Sequence, residues 1–337
     1  MWISADSEKI RYTGRIDWSV PKEPTWIFPC TSSEFKFTGN TLKIHVKNKN
    51  EYWQNYLSCI LDNVQSRFYI KKEGETKIEV RVNENETGVH HVLFFKRQDS
   101  CHEVTILGYE IEDGEKLLEL PKKTDKRIEV YGDSVSAGEV SEAVDFVGKE
   151  DPEHEGGYSN SYYSYGWILA RKLGAQIHDI AQGGIALMDG EGWYHEPEQI
   201  GMETVWNKVH YNTRLSGMSD WDFSKYIPQV VIVAVGQNDC HPEDYMKEEY
   251  CHPQARKWRE HYMNFLRKLR SVYSEAYIIC CTTLLNHDES WDDAIAQVVK
   301  NMDDKKITQY VFKRTLYGCT HQIRVNIECS YNLQPEM

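Results

Sequence analysis

The chain has 337 residues, of which 40% are hydrophobic and 27% charged, and its formal net charge is −13. The length favours two domains, and the composition is that of a globular protein. The acidic balance argues against a nucleic-acid or anionic-membrane partner, because both need a basic protein surface. No run approaches the roughly 20 apolar residues that a membrane helix needs.

The N-terminus and the cysteines bear on the compartment. Residues 1–6 have neither the basic region nor the apolar region of a secretory signal, so we expect no signal peptide. Nine cysteines are scattered without a regular framework. Cys280 and Cys281 lie inside an apolar, strand-like run, as buried reduced thiols do. We therefore predict a cytoplasmic protein, whose oligomeric state has no visible sequence signature.

Short segments of alternating apolar and polar residues fill the first part of the chain, to about residue 118. Turn clusters such as Thr38-Gly39-Asn40 separate them, and no helical periodicity interrupts them, which predicts a β-sandwich. The segments with the clearest alternation are Phe35–Phe37, Leu42–Val46, Arg67–Ile70, Ile78–Val82 and Val104–Leu107. We place this domain at residues 1–120, either as a glycan-binding module or as part of the active-site wall.

From Lys126 onward, strands alternate with helices, which predicts a parallel, doubly wound α/β sheet in a second domain at residues 121–337. The predicted strands are Ile128–Tyr131, Gln176–Ile180, Gln229–Val235, Ala276–Thr282 and Ile307–Phe312. The predicted helices are Asn160–Leu173, His252–Tyr273 and a third through Trp291, Ile295, Val298, Val299 and Met302.

A long insertion at residues 189–227 breaks this alternation and is rich in aromatic residues. Trp193, Trp206 and Trp221 could stack on the apolar face of a sugar ring. Equally, each could belong to a small core that holds the insertion together.

A serine stands where the first of these strands ends, in Gly132-Asp133-Ser134. The carboxyl ends of strands are where open α/β sheets place their chemistry, so Ser134 is a candidate nucleophile and Asp133 a residue that shapes the turn. A serine nucleophile needs a base to take its proton and donors for the oxyanion. Gly184, Asn238 and His321 each follow another predicted strand and could supply these parts. Each is a weak signal alone, but their order along the chain predicts a hydrolase.

A second histidine competes for the role of base. His287 also follows a strand and has an acidic neighbour, although the alternative is a helix entry at which Asp288 is the N-cap. His321 is the preferred base because of its placement. His178 lies inside a predicted strand and is interpreted as a sheet residue.

The sequence gives no reason to expect a metal or an organic cofactor. The pairs Cys240-His241 and Cys251-His252 match no zinc spacing. No glycine-rich loop of the phosphate- or dinucleotide-binding type occurs.

Four blocks of residues together resemble the SGNH (GDSL-like) esterases and lipases: Gly132-Asp133-Ser134, Gly184, Gly236-Gln237-Asn238-Asp239 and the late His321. The resemblance covers about residues 126–325. With the preceding sandwich, the whole chain resembles carbohydrate esterase family 2, whose members join a jelly-roll domain to an SGNH domain and deacetylate plant polysaccharides. This implies a flavodoxin-like, three-layer α/β/α catalytic domain with a parallel sheet.

The same resemblance implies roles for individual residues. Ser134 is the nucleophile and His321 the general base, while the Ser134 N–H, the Gly184 N–H and the Asn238 side chain form the oxyanion hole. SGNH enzymes usually carry aspartate three residues before the histidine, where this chain has Gly318. Some family 2 members lack that acid, so we expect a Ser–His dyad with a backbone carbonyl orienting the ring.

We therefore expect a serine esterase that removes O-acetyl groups from a polysaccharide or oligosaccharide, as acetyl xylan esterases do. A lipase or thioesterase of the same superfamily is one alternative. A carbohydrate-binding protein with impaired catalysis is the other.

Overall fold

The computed structural model describes residues 1–83, 88–147, 149, 152–153, 155–283, 285 and 287–312. They form two compact units. The first unit comprises the described residues of Met1–Lys123, Glu155–Gly157 and Val209–Ser219, and the second comprises the other described residues. No helix in the described ranges is long and apolar enough to cross a membrane.

The first unit consists of short antiparallel strands. In chain order they are β1 (Trp2–Ser4), β2 (Arg11–Thr13), β3 (Ile16–Asp17), β4 (Thr25–Trp26), β5 (Ser32–Thr38), β6 (Leu42–Asn50), β7 (Asn55–Leu61), β8 (Val64–Ile70), β9 (Gly74–Val80), β10 (Val89–Lys96), β11 (His102–Ile111) and β12 (Leu117–Leu118).

These strands make two antiparallel sheets. One has the order β3-β4-β11-β6-β9, with β1 also on β11, and the other has the order β12-β5-β10-β7-β8, with β2 also on β5. Alternate residues of both sheets, such as Phe35, Phe37, Ile44 and Val46, point into one apolar core. The predicted β-sandwich is therefore confirmed. The sequence interpretation omitted seven of its strands, namely the short strands β1–β4 and β12 and the longer strands β7 and β10.

The remaining strands, in chain order, are β13 (Arg127–Gly132), β14 (Gln176–Ala181), β15 (Lys208–His210), β16 (Ser219–Asp220), β17 (Val230–Ala234), β18 (Tyr277–Cys281) and β19 (Ile307–Gln309). β15 and β16 form a two-stranded sheet of their own, and the other five strands belong to the second unit. The helices are α1 (Ser134–Ala137), α2 (Tyr165–Leu173), α3 (Met202–Val205), α4 (Tyr245–Glu248), α5 (Pro253–Val272) and α6 (Glu289–Met302).

Five of these strands form a parallel sheet of order β14-β13-β17-β18-β19, which is the flavodoxin-like order. The side chains of Val130 and Tyr131 show that both faces are covered. Val130 faces Gly166 of α2, whereas Tyr131 packs its ring edge-on against Phe265 of α5, 5.7 Å away. Consecutive strand residues point to opposite faces, so helices lie on both sides of the sheet. The predicted three-layer α/β/α fold is confirmed.

The helix predicted at 160–173 begins later than expected. Residues Ser161–Tyr163 form a separate 3-10 turn, and α2 starts after Ser164. The Ser164 hydroxyl caps α2 by accepting a hydrogen bond from the Trp167 N–H. A serine cap satisfies an N–H that the first helical turn leaves unpaired, and this fixes the boundary.

Candidate active site

The nucleophile turn directly follows β13. Asp133 is the N-cap of α1, and its Oδ1 accepts a hydrogen bond from the Val135 N–H at 3.0 Å. Only glycine fits before it, because a Cβ on Gly132 would lie 2.0 Å from Ser136 Oγ. The chain therefore turns sharply from strand into helix and places Ser134 at the carboxyl edge of the sheet, where 9% of its surface is exposed.

The neighbouring strands bring two other predicted site residues to the same edge. Gly132 is in register with Ala181 at the end of β14 on one side and with Ala234 at the end of β17 on the other. The loop with Gly184 follows β14, and the turn with Asn238 follows β17. Ser134 is thus flanked by the two segments expected to form its oxyanion hole.

Gly184 lies in a tight loop that glycine alone can form. Its φ is +73°, and a Cβ there would lie 2.9 Å from the Cβ of Trp193. Its carbonyl accepts hydrogen bonds from the N–H groups of Trp193 and Tyr194, at 2.8 and 3.2 Å. These two hydrogen bonds therefore connect the aromatic insertion at residues 189–227 to the Gly184 loop.

Asn238 is oriented by the same loop. Its Nδ2 donates a hydrogen bond to the Ile185 carbonyl at 3.0 Å. An amide nitrogen carries two N–H groups, so this bond fixes the side chain while a second donor remains for an oxyanion.

Asp239, the next residue, is fully buried and ties two elements to the turn. Its Oδ1 accepts hydrogen bonds from the Leu187 N–H at 2.8 Å and from the Trp258 indole at 2.7 Å. Burial, aided by the nearby Glu191 carboxyl, raises the pKa of Asp239 to about 7. Its role is to brace the loop after β14 against α5.

A buried polar network lies beneath the nucleophile turn, and sequence reasoning missed it. Gln237 Nε2 donates to Asp133 Oδ2 at 3.0 Å and to Thr283 Oγ1 at 2.6 Å, while Gln237 Oε1 accepts from the Thr283 N–H at 2.9 Å. Burial raises the pKa of Asp133 to about 7, although backbone N–H groups oppose the shift. These contacts support the interpretation of Asp133 as a residue that shapes the turn.

The competing base candidate, His287, is engaged at both ring nitrogens. Nδ1 lies 2.6 Å from the Leu285 carbonyl, and Nε2 lies 3.1 Å from Asp292 Oδ2. Nε2 also lies 3.0 Å from Thr282 Oγ1, so both ring nitrogens contact neighbours other than Ser134. Asp288 caps α6 by accepting from the Ser290 N–H, as the alternative interpretation of this segment had it.

The preferred base, His321, and the departure at Gly318 lie outside the described residues. His178 is buried in β14, as predicted, and stacks on Tyr226 with ring centroids 3.5 Å apart.

The three tryptophans of the insertion differ in exposure. Trp193 is 56% exposed, whereas Trp206 and Trp221 are 8% and 9% exposed. Trp206 packs against Phe223 and Phe265, and Trp221 packs against His178. Of the three, Trp193 is therefore the one with an exposed side chain, and it lies beside Gly184.

Within the described ranges, no group of three or more histidine, cysteine, aspartate or glutamate side chains could hold a metal ion. None of the seven cysteines that the structure describes is in a disulfide.

Known proteins resemble both halves of the chain. Residues 12–121 match the family model described as carbohydrate esterase 2 N-terminal. The cellulase/esterase CelE of Acetivibrio thermocellus is 31% identical over 277 residues, which are 82% of this chain but only 31% of that protein. The chain thus spans about a third of that relative's length. The acetylxylan esterase/glucomannan deacetylase of Cellvibrio japonicus is 25% identical, over 85% of this chain and 75% of that protein.

A solved structure extends the resemblance to the whole fold. A family two carbohydrate esterase from Clostridium thermocellum, in complex with cellohexaose, matches with a TM-score of 0.76 and 27% identity, over 91% of this chain and 89% of that one. By its N-terminal domain, its sequence and its fold, the chain is thus similar to the family 2 carbohydrate esterases.

Proposed function

We propose that this protein is a serine esterase that removes O-acetyl groups from plant-type polysaccharides or oligosaccharides. One observation carries the proposal: β14, β13 and β17 lie side by side, and Gly184, Ser134 and Asn238 follow their carboxyl ends. A nucleophile flanked by hydrogen-bond donors is what acyl transfer requires. The similarity to an acetylxylan esterase/glucomannan deacetylase suggests the substrate class.

The reaction proceeds through an acyl-enzyme. His321 takes the proton of Ser134 Oγ as that oxygen bonds to the acetyl carbonyl carbon. The Ser134 N–H, the Gly184 N–H and Asn238 Nδ2 hold the resulting oxyanion. The intermediate collapses, the sugar oxygen leaves with the proton from His321, and water then releases acetate by the same steps in reverse.

His321 acts in this proposal as the base of a Ser–His dyad, because Gly318 supplies no carboxylate. The engaged ring of His287 supports this choice, since both of its nitrogens face acceptors. A dyad without an acid has a weaker base than a full triad has.

Trp193 provides the sugar platform. Its indole is exposed, and its backbone N–H is bonded to the Gly184 carbonyl, so a ring stacked on the indole lies close to the oxyanion donors. The sandwich domain carries the family 2 N-terminal match and is proposed to contribute to glycan binding.

Hydrolysis of 4-nitrophenyl acetate and of acetylated xylo-oligosaccharides tests the proposal. We expect Ser134→Ala to lower kcat by at least about 10³-fold with little change in melting temperature. Ser136→Ala is the matched control, since that buried hydroxyl bonds to Tyr165 and faces away from the reaction. The esterase proposal is wrong if the wild type hydrolyses these esters no faster than Ser134→Ala. Preference for octanoyl over acetyl esters would point to the lipase or thioesterase alternative.

Glycan binding without catalysis is the second candidate, because Gly318 stands where the superfamily usually has its acid. A relative solved with cellohexaose shows that such a fold can hold a glucan chain. Calorimetric titration with cellohexaose, together with an absence of acetate release, would favour this candidate.

A further inference from the structure

Gln237 joins two segments that meet under the nucleophile. It follows β17, is 7% exposed, and contacts Asp133 on the nucleophile turn and Thr283 just after β18. Asp133 and Thr283 are themselves only 1% and 2% exposed. Gln237, Asp133 and Thr283 therefore form a buried polar contact that is shielded from solvent.

The hydrogen bonds fix which way the amide points. Oε1 accepts from the Thr283 N–H, an obligate donor, so Nε2 must face Asp133 and the Thr283 hydroxyl. Both N–H groups of Nε2 are then used, one on the Asp133 carboxyl and one on Thr283 Oγ1. Rotating the amide by 180° would break the bonds to the Asp133 carboxyl and to the Thr283 N–H.

We propose that Gln237 is a positioning residue for Ser134, which acts by holding the Asp133 carboxyl in the orientation that caps α1. The inference rests on the proposed function, in which Ser134 is the nucleophile. Asp133 Oδ1 accepts from the Val135 N–H while Oδ2 is held by Gln237, so the carboxyl has one orientation. This carboxyl ties the backbone of Asp133 to that of Val135, and Ser134 is the residue between them.

The energetic weight of the contact comes from burial. Leaving a buried polar group without its hydrogen-bond partner costs about 1–3 kcal/mol. Without Gln237, we expect the nucleophile turn to shift so that the Asp133 carboxyl finds another partner. A shift of about 1 Å at a nucleophile can lower the rate by about 10²-fold. We expect the loss to fall on kcat, because Gln237 is buried beneath the nucleophile turn.

Charged groups from other elements also face this network. His287 exerts a favourable electrostatic effect on Asp133, and His287 is itself paired with Asp292 of α6. A second carboxylate at position 237 would face the Asp133 carboxyl directly, because Gln237 Nε2 lies 3.0 Å from Asp133 Oδ2.

Exchanging the carboxyl and the amide between positions 133 and 237 tests whether these two side chains act as a pair. Asp133→Asn places an NH₂ against Gln237 Nε2, and Gln237→Glu places a carboxylate against Asp133. We expect each single variant to lower kcat by about 10-fold or more, with KM for 4-nitrophenyl acetate little changed. In the double variant the new amide at position 133 donates to the new carboxylate at position 237, which still accepts from the Thr283 N–H. Its kcat should return to within about 3-fold of wild type.

The pH profile gives a second readout that a purely structural role would not change. In Gln237→Glu, the two carboxyls share one proton at low pH and repel once that proton leaves. Its kcat should therefore fall as pH rises, over a range in which the wild-type kcat does not. Gln237→Met lacks the carboxyl and should show a lower kcat without this additional fall, which keeps the test valid if Asp133→Asn does not fold.

Gln229 provides the matched control. It also bridges two segments through both ends of its amide, accepting from the Arg127 N–H and donating to the Asp125 carbonyl, but at the amino edge of the sheet. Gln229→Glu should leave kcat and its pH profile unchanged.

The outcomes separate the two claims. A wild type no faster than Ser134→Ala overturns the proposed function and the positioning role with it. An active wild type whose double variant is no faster than Gln237→Glu, and whose Gln237→Glu has the wild-type pH profile, overturns the positioning role alone.

Discussion

The indole of Trp193 lies nearly flat on the imidazole of His241, with ring centroids 3.4 Å apart and an interplanar angle of 21°. His241 follows the Asn238–Cys240 turn, and the Gly192 N–H donates to the His241 carbonyl at 3.0 Å. One face of the indole is thus held by the protein while the side chain stays 56% exposed. A rigid, half-exposed ring loses little conformational entropy when a sugar stacks on it.

Trp193→Ala should lower kcat/KM for acetylated xylo-oligosaccharides by about 10-fold, the change that about 1.4 kcal/mol produces, because the stacking contact is lost. Activity on 4-nitrophenyl acetate, which has no sugar ring, should change much less. Tyr277→Ala is the control, since Tyr277 is 57% exposed but begins β18, at the opposite edge of the sheet. Equal losses on both substrates would contradict the role of Trp193 as a sugar platform.

Asp239 should make the protein less stable as pH rises. Burial raises its pKa from 3.8 to about 7, so the folded state favours the protonated carboxyl. That contribution is complete below about pH 4 and is lost as pH rises through about 7, by an amount on the order of a few kcal/mol.

Asp239→Asn tests this, because asparagine keeps an oxygen for the Leu187 N–H and the Trp258 indole. The melting temperature of this variant, relative to that of the wild type, should be higher at pH 8 than at pH 5. Asp222, whose serine hydrogen bonds lower its pKa, is the control and should not reproduce that gain. If the melting temperatures of variant and wild type differ by the same amount at pH 5 and pH 8, Asp239 is ionised in the folded protein at both pH values.

The positions of the long strands in the parallel sheet and of Ser134 followed from local patterns, whereas the contacts around the site did not. Alternation identifies β13, and a Gly-Asp-Ser turn after it places a serine at the sheet edge whatever the rest of the chain does. β7 was omitted because Tyr56 and Ile60 make its outer face apolar as well, so the alternation is weak. Gln237 has partners 104 and 46 residues away, and no local pattern encodes such distances.

Replacing His287 should mainly lower the stability of the protein, whereas replacing His321 should mainly lower kcat. His287→Ala leaves the Asp292 carboxylate without its imidazole partner, in a site where Asp292 is 9% exposed. The free energy of unfolding should fall by about 3–5 kcal/mol, while kcat below the melting temperature stays within about 10-fold. Asp292→Asn added to His287→Ala should recover part of that stability.

His321→Ala should instead lower kcat by about 10³-fold. Melting curves and kcat for both variants decide between the two histidines. The base assignment would pass to His287 if its folded alanine variant lost more activity than that of His321.

Gly132→Ala should disrupt the nucleophile turn, because the new Cβ would lie 2.0 Å from Ser136 Oγ and 2.5 Å from Ser136 Cβ. We expect a large loss of kcat and a lower melting temperature. Adding Ser136→Gly removes both clashing atoms and should recover most of the activity, although a glycine in α1 costs about 1 kcal/mol. No recovery in the double variant would mean that Gly132 is required for another reason.

His210 in the first unit should give the opposite pH dependence to a buried carboxylate whose pKa is lowered. Its Nδ1 lies 3.0 Å from Glu103 Oε1 and its Nε2 lies 3.0 Å from Asp17 Oδ2. Burial opposes protonation of the ring, but these two carboxylates outweigh it and raise the pKa of His210. The stabilisation is complete below the unfolded pKa of about 6.5 and is lost as pH rises through the higher folded value.

His210→Ala should therefore destabilise the protein by about 1.5–3 kcal/mol at pH 6 and by less at pH 9. Lys47, Lys49 and Glu23 line the same polar cavity of about 430 Å³. His45→Ala is the control, because its more exposed ring faces a single carboxylate, Glu110, at 3.4 Å. If melting curves show the same cost for His210→Ala at both pH values, the ring is not charged in the folded protein, and its two contacts act as neutral hydrogen bonds.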